Sequence, residues 1–436
     1  MKILAISNLY PPNAVGGYEA LCFDVMQALA SRGHDVTVMT SNYGDKVELF
    51  ADQKVTRDLT LLATQGNIYE PFACSEAIRT RINQDNIDHL KVALSAEQPD
   101  VIFVWNLHFL DQSFLAAVKE STPRKVFLLT DNWLIAFCNP NFLAEYFALK
   151  IYADGGGPLR LPRHLLGMIT QSKGGLMNVC RRMGRYLLPS RRQSHLFSGS
   201  AIFASRFMQE LYSQAGVGFA EQTIIHHGTT PLPQPKNSRP DRSQFLKENE
   251  LSLLLAGRIV EIKGVHTAVD ALPTIIQQMP GTRVRLTILG DNRDQPYVDR
   301  LRQRVRALGL ESVVSFSPPV AEKELPDLFQ QHDIYLFPSL YEPFALTLIH
   351  ALRAGIPTVA SSAGGTPEIV FQRETGMLFR TGDSADLARQ VVALAASAEL
   401  RRTISQQSTA HAEGFTFNRM VNDVESHLKA IAEVSP

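Results

Sequence analysis

Short apolar runs alternate with helical periodicities along nearly the whole chain. The first run, Lys2–Ser7, precedes a helical stretch at 19–31 whose Leu21, Val25 and Leu29 share one face. Runs at 36–40, 101–104 and 125–129 read as further strands, and those at 200–203 and 223–226 as the last strands of the same unit. Residues 230–236 are punctuated by Pro231, Pro233 and Pro235 and read as a stiff, extended linker. The pattern then restarts. Strands are expected at 251–256, 284–289, 313–316, Ile334–Phe337 and 357–361, each followed by a helical pattern. A final helical run carries Phe417, Val421, Val424, Leu428 and Ile431 as one apolar stripe. Such alternation predicts an α/β chain with two doubly wound parallel sheets. The expected domains span 1–235 and 240–412, the first with an insertion at about 132–198.

Bulk properties narrow the setting. A chain of 436 residues exceeds one ordinary domain, and 45% hydrophobic with 20% charged residues suits well-packed globular units. The 43 basic and 43 acidic side chains cancel, so global charge points to no nucleic-acid partner. Cys22, Cys74, Cys138 and Cys180 form neither a CxxC nor a metal-like spacing, which fits thiols in a reducing cytoplasm. The opening apolar run stops at Pro11-Pro12, too soon for a secretory signal, and no apolar run approaches the roughly 20 residues of a membrane span. Charge is uneven in one place. Residues 150–192 hold nine Lys or Arg against the single acid Asp154, interleaved with apolar side chains. The segment is either a solvated basic face or a surface for anionic membrane at the inner leaflet, and flotation with anionic liposomes at low salt separates the two.

Candidate chemistry gathers where strands end. The first turn, residues 11–17, holds Gly16 and Gly17 but no G-x-G-x-x-G, so it is a plain tight turn or a loop over phosphates. Asn106-Leu107-His108 and Asp131 follow strands at the edge where α/β sheets bind ligands. Residues 257–264, Gly-Arg-Ile-Val-Glu-Ile-Lys-Gly, put Arg258 and Lys263 after a strand; Arg forks two phosphate oxygens and Lys acts as a compact charge. Residues 337–365 run strand, Pro338, a loop with the acid Glu342, a helix over 346–354, Gly355, a strand, and Gly364-Gly365. The first amides of that helix are ready to take a phosphorylated ligand. Glu342 would repel phosphate and instead accept from hydroxyls of what the phosphate carries; it could equally be a solvated acid in a βα turn.

The stretch Glu342-Pro343-Phe344-Ala345, with R-x4-K-G at 258–264, resembles the family 4 retaining glycosyltransferases of GT-B fold. The resemblance is close over the second domain and loose over the first. It implies two Rossmann-like domains facing a cleft, with a C-terminal helix, 413–436, crossing back to complete the first. It implies transfer of a sugar from a UDP- or GDP-type donor to a sugar or lipid-linked hydroxyl acceptor, a glycan, glycolipid or polysaccharide intermediate, in the cytoplasm. The implied catalytic set is His108, Arg258, Lys263 and Glu342. Donor contacts would come from Gly16, Gly17, Gly290, Asp291, Val320, Phe344, Ala345, Leu346, Thr347 and His350. Gly364-Gly365-Thr366-Pro367-Glu368 matches the family's turn and reads as architectural. No D-x-D occurs, so no cofactor and no required metal is expected. One position departs. His350 stands where the family usually has a ribose-binding Glu. Neutral His can still bond a ribose hydroxyl, and the alternative is a degenerate GT-B scaffold without catalysis.

Overall fold

The computed structural model describes residues 1–14, 16–44, 53–66, 68, 72–147, 194–235 and 249–433. The basic segment 150–192 lies outside the described residues. By internal contacts the chain forms two compact units, one from the described parts of 1–143, 191–226 and 418–436, the other from those of 144–190 and 227–417.

The first unit is built on strands β1 (Lys2–Ser7), β2 (Asp35–Ser41), β3 (Lys54–Leu59), β4 (Val101–Asn106), β5 (Arg124–Leu129), β6 (His195–Phe203) and β7 (Val217–Ile224). They form a seven-stranded sheet in the order β3-β2-β1-β4-β5-β6-β7, parallel throughout. Central strands covered on both faces must be apolar along their length, and β4, Val-Ile-Phe-Val-Trp-Asn, is buried at every position. The helix Gly17–Ser31 turns Leu21, Cys22, Val25, Met26 and Leu29 inward. The last helix, Phe417–Glu433, buries Met420, Val421, Val424, Leu428 and Ile431. Met420 takes the place expected for Phe417, which is only half buried. Glu425 of that helix meets Arg32 at 2.6 Å and His34 at 3.0 Å, fastening it beside the end of the helix Gly17–Ser31. Its neighbours Lys429, Arg32 and His34 hold the Glu425 carboxyl down at about 2.

The second unit carries β8 (Glu250–Ala256), β9 (Arg283–Leu289), β10 (Val314–Ser317), β11 (Ile334–Phe337), β12 (Thr358–Ser361) and β13 (Met377–Phe379), parallel and ordered β10-β9-β8-β11-β12-β13. Leu253, Leu286 and Ile334 of the sheet pack with Val269 and Leu272 of the helix Val265–Gln278 and Leu387 and Val391 of the helix Ser384–Ala396 in one core. Both sheets reverse strand order once, between β1 and β4 and between β8 and β11. Ligands of open α/β sheets bind at the carboxyl ends of strands at such a point.

Three strands depart from the sequence expectation. The strand expected at 223–226 is β7, Val217–Ile224, whose burial alternates at Val217 and Phe219 before an exposed edge. The polar edge strand β3 and the three-residue β13 escaped notice because neither is long or apolar enough to show a period. Residues 132–147, expected within the irregular insertion, form the short helices Trp133–Cys138 and Pro140–Tyr146.

Candidate active site at the carboxyl edge of the second sheet

The turn after β8 is short because Gly264 sits at φ +64°, and a Cβ there would meet the Pro338 carbonyl oxygen at 2.0 Å. Only glycine lets the two turns of the switch point touch. Leu340 N donates to Ile262 O at 2.8 Å, and the contact brings Lys263 over the β11 turn. Lys263 Nζ then lies 2.6 Å from Glu342 Oε2 and 5.8 Å from the Phe337 ring centroid. The Glu342 side chain is 8% exposed and that of Lys263 23%. A carboxylate so buried needs partners. Besides Lys263 it accepts from Ser339 Oγ at 3.3 Å. The Glu342 backbone is held as well: Gly365 N donates to its carbonyl at 2.8 Å, and Gly364, at φ +56°, approaches so closely that a Cβ would stand 2.0 Å from that oxygen. The Gly364-Gly365 turn therefore shapes the acid's loop. Ser361 Oγ donates to Ser339 O at 2.5 Å and ties β12 into the same assembly.

The helix Leu346–Arg353 starts at Ala345 with no side-chain cap, so its first amides lack an intrahelical partner. Leu346 and Thr347 open it, and Thr347 lies against the buried Tyr335 hydroxyl. Phe344 is turned inward, with its ring 5.5 Å from His227 and 6.0 Å from Phe415, so it anchors the loop. Arg258 is exposed one residue after the β8 turn begins. Its neighbour turn is fixed by Ile259 N donating to Asp291 O at 2.8 Å and Gly290 N to Ser317 O at 3.2 Å. Asp291 pairs with Arg293 at 2.5 Å, and that bond, opposed by partial burial and aided by the more distant Arg258, holds its carboxyl below the usual range.

His350 is 4% exposed, and its Nε2 stands 2.7 Å from Glu322 Oε1, off the line of a well-formed hydrogen bond. The contact with His350, working against partial desolvation, lowers the Glu322 carboxyl. Glu322 opens the short turn two residues beyond Val320, so the loop after β10 and the helix Leu346–Arg353 meet through this pair. Sequence reading missed both Glu322 and Ser339. Ser339 was discoverable, three residues before Glu342 in one loop; Glu322 was not, because 28 residues separate it from His350 and no spacing rule links them.

The first unit's switch point holds different chemistry. Gly16 N donates to the buried Glu19 Oε2 at 2.9 Å, which occupies one of the amides expected for a ligand, while Gly17 opens the helix. Tyr18 Oη donates to Asn8 Oδ1 at 2.7 Å. His108 follows β4 with its amide on Asn106 Oδ1 at 2.7 Å, beside Phe109, whose φ of +69° is unusual for a bulky residue. Burial depresses His108, favouring the neutral imidazole. Asp131 accepts from Trp133 N at 2.9 Å and from Asn106 Nδ2 at 3.4 Å, yet burial outweighs both and raises its carboxyl to about 6. Each of His108, Gly16 and Gly17 thus belongs to the first unit, while the other eleven expected site residues belong to the second.

Among the described residues no helix is long and apolar enough to cross a membrane. Residues 237–411 match the sequence profile of the family described as Glycosyl transferases group 1. A glycogen synthase of Mycobacterium tuberculosis is 27% identical over 424 residues, 93% of this chain and 90% of that protein. A mannosylfructose-phosphate synthase of Agrobacterium fabrum is 36% identical over 127 residues, 28% of each chain. Among solved structures, sucrose-phosphate synthase from Thermosynechococcus elongatus superposes with a TM-score of 0.69 at 18% identity, covering 100% of both chains. HepE from Anabaena, solved in complex with UDP and glucose, superposes at 0.62 and 21% identity over 99% of this chain and 100% of its own. At these identities the structures establish the shared two-sheet GT-B fold. The second unit thus matches the group 1 glycosyltransferases over residues 237–411, and the chain shares its two-sheet fold with these enzymes.

Proposed function

We propose that the protein moves a sugar from a UDP- or GDP-type nucleotide sugar to a hydroxyl acceptor, a glycan, glycolipid or polysaccharide intermediate, with retention and without a required metal. The observation that carries this reading is the buried Lys263–Glu342 pair, 2.6 Å apart at the strand switch and next to an uncapped helix N-terminus. Breaking the bond between the sugar and the diphosphate sends its electron pair to a phosphate oxygen. Lys263, the exposed Arg258 and the first amides of the helix Leu346–Arg353 stabilise that charge. Glu342, already braced by Ser339, accepts from hydroxyls of the transferred sugar and holds Lys263 in position before the donor arrives. The acceptor oxygen attacks from the face that the diphosphate leaves. Its proton passes to the departing phosphate oxygen, so the new carbon–oxygen bond replaces the old one and no protein nucleophile is needed.

His350 and Glu322 serve the nucleoside as a pair. The imidazole donates to a ribose hydroxyl, and the carboxylate supplies the acceptor lost where the resembled family has Glu. In the first unit, neutral His108 and the Asn106–Asp131 pair offer acceptors and donors suited to hydroxyls of the incoming substrate. The relatives named as a glycogen synthase and, at 31% identity over 191 residues, a D-inositol 3-phosphate glycosyltransferase of Arthrobacter favour a hydroxyl-rich acceptor. The neighbour solved with UDP favours a uridine donor.

The test is thermal stabilisation by UDP, GDP, ADP and dTDP, followed by an assay of transfer or hydrolysis with the matching nucleotide sugars. One nucleoside diphosphate should stabilise the chain by about 2.7 kcal/mol at a hundredfold excess over its dissociation constant. The shift should vanish in Arg258→Ala. No shift with any nucleotide and no diphosphate release would overturn the reading.

A further inference from the structure

The first unit contains an opening remote from its carboxyl edge. Strand β6 breaks register against β7 between Phe197 and Ser200. At Gly199 the backbone passes so close to β5 that a Cβ would lie 2.7 Å from the Lys125 carbonyl oxygen. Breaks of this kind bend a strand and re-aim its side chains. Here the break borders a cavity of about 290 Å³ lined by Arg124, Lys125, Ser198, Ser200 and Glu221, with Ile431 of the final helix as an apolar contact. Arg124 and Lys125 are the first residues of β5, so the cavity sits at that strand's amino end, opposite the edge assigned to the reaction.

Its polar groups are organised. Ser200 Oγ lies 2.7 Å from His427 Nε2, one helical turn before Ile431. The Lys125 ammonium donates to Ser121 O and keeps two further protons to give. Burial lowers the Lys125 ammonium from its ordinary value. It lowers the His427 imidazolium too, against the pull of Glu221. Two cations kept partly from water beside hydroxyls and a single carboxylate match a ligand with one anionic end and a hydroxylated body. The volume falls just below the roughly 300–1,000 Å³ of common ligand clefts, which suits a monosaccharide-sized molecule better than a nucleotide.

We infer that this cavity binds a small phosphorylated polyol, a sugar phosphate in chemical class, with its phosphoryl group on Arg124 and Lys125 and its hydroxyls on Ser198, Ser200 and Glu221. The site is independent of the donor reading, because none of its residues belongs to the second unit. Because Ile431 and His427 lie on the final helix, occupancy also bears on how that helix is held.

The test titrates the full chain calorimetrically with ribose 5-phosphate, ribose and inorganic phosphate, and repeats this in Lys125→Ala, Ser198→Asp and Arg258→Ala. Ribose 5-phosphate should bind saturably and bind about tenfold more weakly, or worse, once a charge-assisted contact is lost in Lys125→Ala or an acid is added in Ser198→Asp. Arg258→Ala should bind it as the wild type does. Ser198 is exposed, so Ser198→Asp should keep the wild-type melting temperature and decides the question should Lys125→Ala misfold. Absent saturation, or affinity unchanged in both cavity variants, overturns the site. Loss of binding in Arg258→Ala assigns the ligand to the donor edge instead and overturns it equally. Inorganic phosphate or ribose binding as tightly as ribose 5-phosphate overturns the polyol-phosphate class.

Discussion

The two units share a strand order, three strands to one side of a reversal and the rest to the other, yet their switch points carry different charge. Beside β1 and β4 the described polar groups include Asn8, Asn106, Tyr18, His108, the buried Glu19 and the half-buried Asp131, while Arg57 donates to the Tyr10 and Pro11 carbonyls. Beside β8 and β11 stand Arg258, Lys263 and a helix N-terminus, with Glu342 as the local counter-charge. One topology therefore supplies a position and leaves its chemistry to the turns. A cationic edge stabilises a leaving diphosphate; an edge whose Arg57 is engaged by backbone carbonyls, beside amides and acids, is better suited to hydroxyls.

The sharpest way to break this contrast is to remove charge from the second edge. Lys263→Ala or Glu342→Ala should lower kcat by about 10²–10³-fold, the cost of one preorganised contact to developing charge. The two effects should be strongly non-additive in the double variant, because the residues form one pair. Single-turnover rates near wild type in either variant would remove the pair from the reaction.

Next in size is the buried acid of the first edge. Asp131 is raised to about 6 by burial, so its protonated form is favoured in the folded chain. Its contribution to stability is then complete below the ordinary value of 3.8 and is lost as pH rises toward and through about 6. The rise from 3.8 to about 6 corresponds to at most about 3 kcal/mol, a ceiling because the residue keeps some solvent contact. Asp131→Asn should gain stability relative to wild type between pH 4 and 7 in urea melts. Parallel curves for the two proteins would show that the carboxyl is solvated and the contrast overstated.

The smallest effect is expected at the nucleoside pair. Glu322→Gln keeps the shape but removes the charge facing His350, and should raise the donor KM by about three- to tenfold with little change in kcat, as loss of one uniform binding contact does. His350→Glu should fail to restore tighter binding unless Glu322 is also changed, since two carboxylates would then face each other at the present 2.7 Å separation. A kcat effect as large as that of Lys263→Ala would place the pair in the chemistry rather than in binding.

Much of this was readable in one dimension. Buried parallel strands must be largely apolar, so β1, β4, β8 and β11 were legible, and the turns after β8 and β11 stood out by resembling the family's pattern at Arg258, Lys263 and Glu342. Hydrophobic periodicity also determined the final helix, although Met420 rather than Phe417 completes its stripe. Tertiary structure alone decided which acids meet which bases. Lys263 and Glu342 are joined across 79 residues by two glycine turns that each touch the loop after β11, and His350 meets Glu322 across a loop. It alone decided that Phe344 faces the core and that Asp131 is desolvated enough to hold its proton near pH 6. The reason is that local pattern records what a segment must bury, while pairing and desolvation depend on neighbours that only strand order brings within a few ångströms.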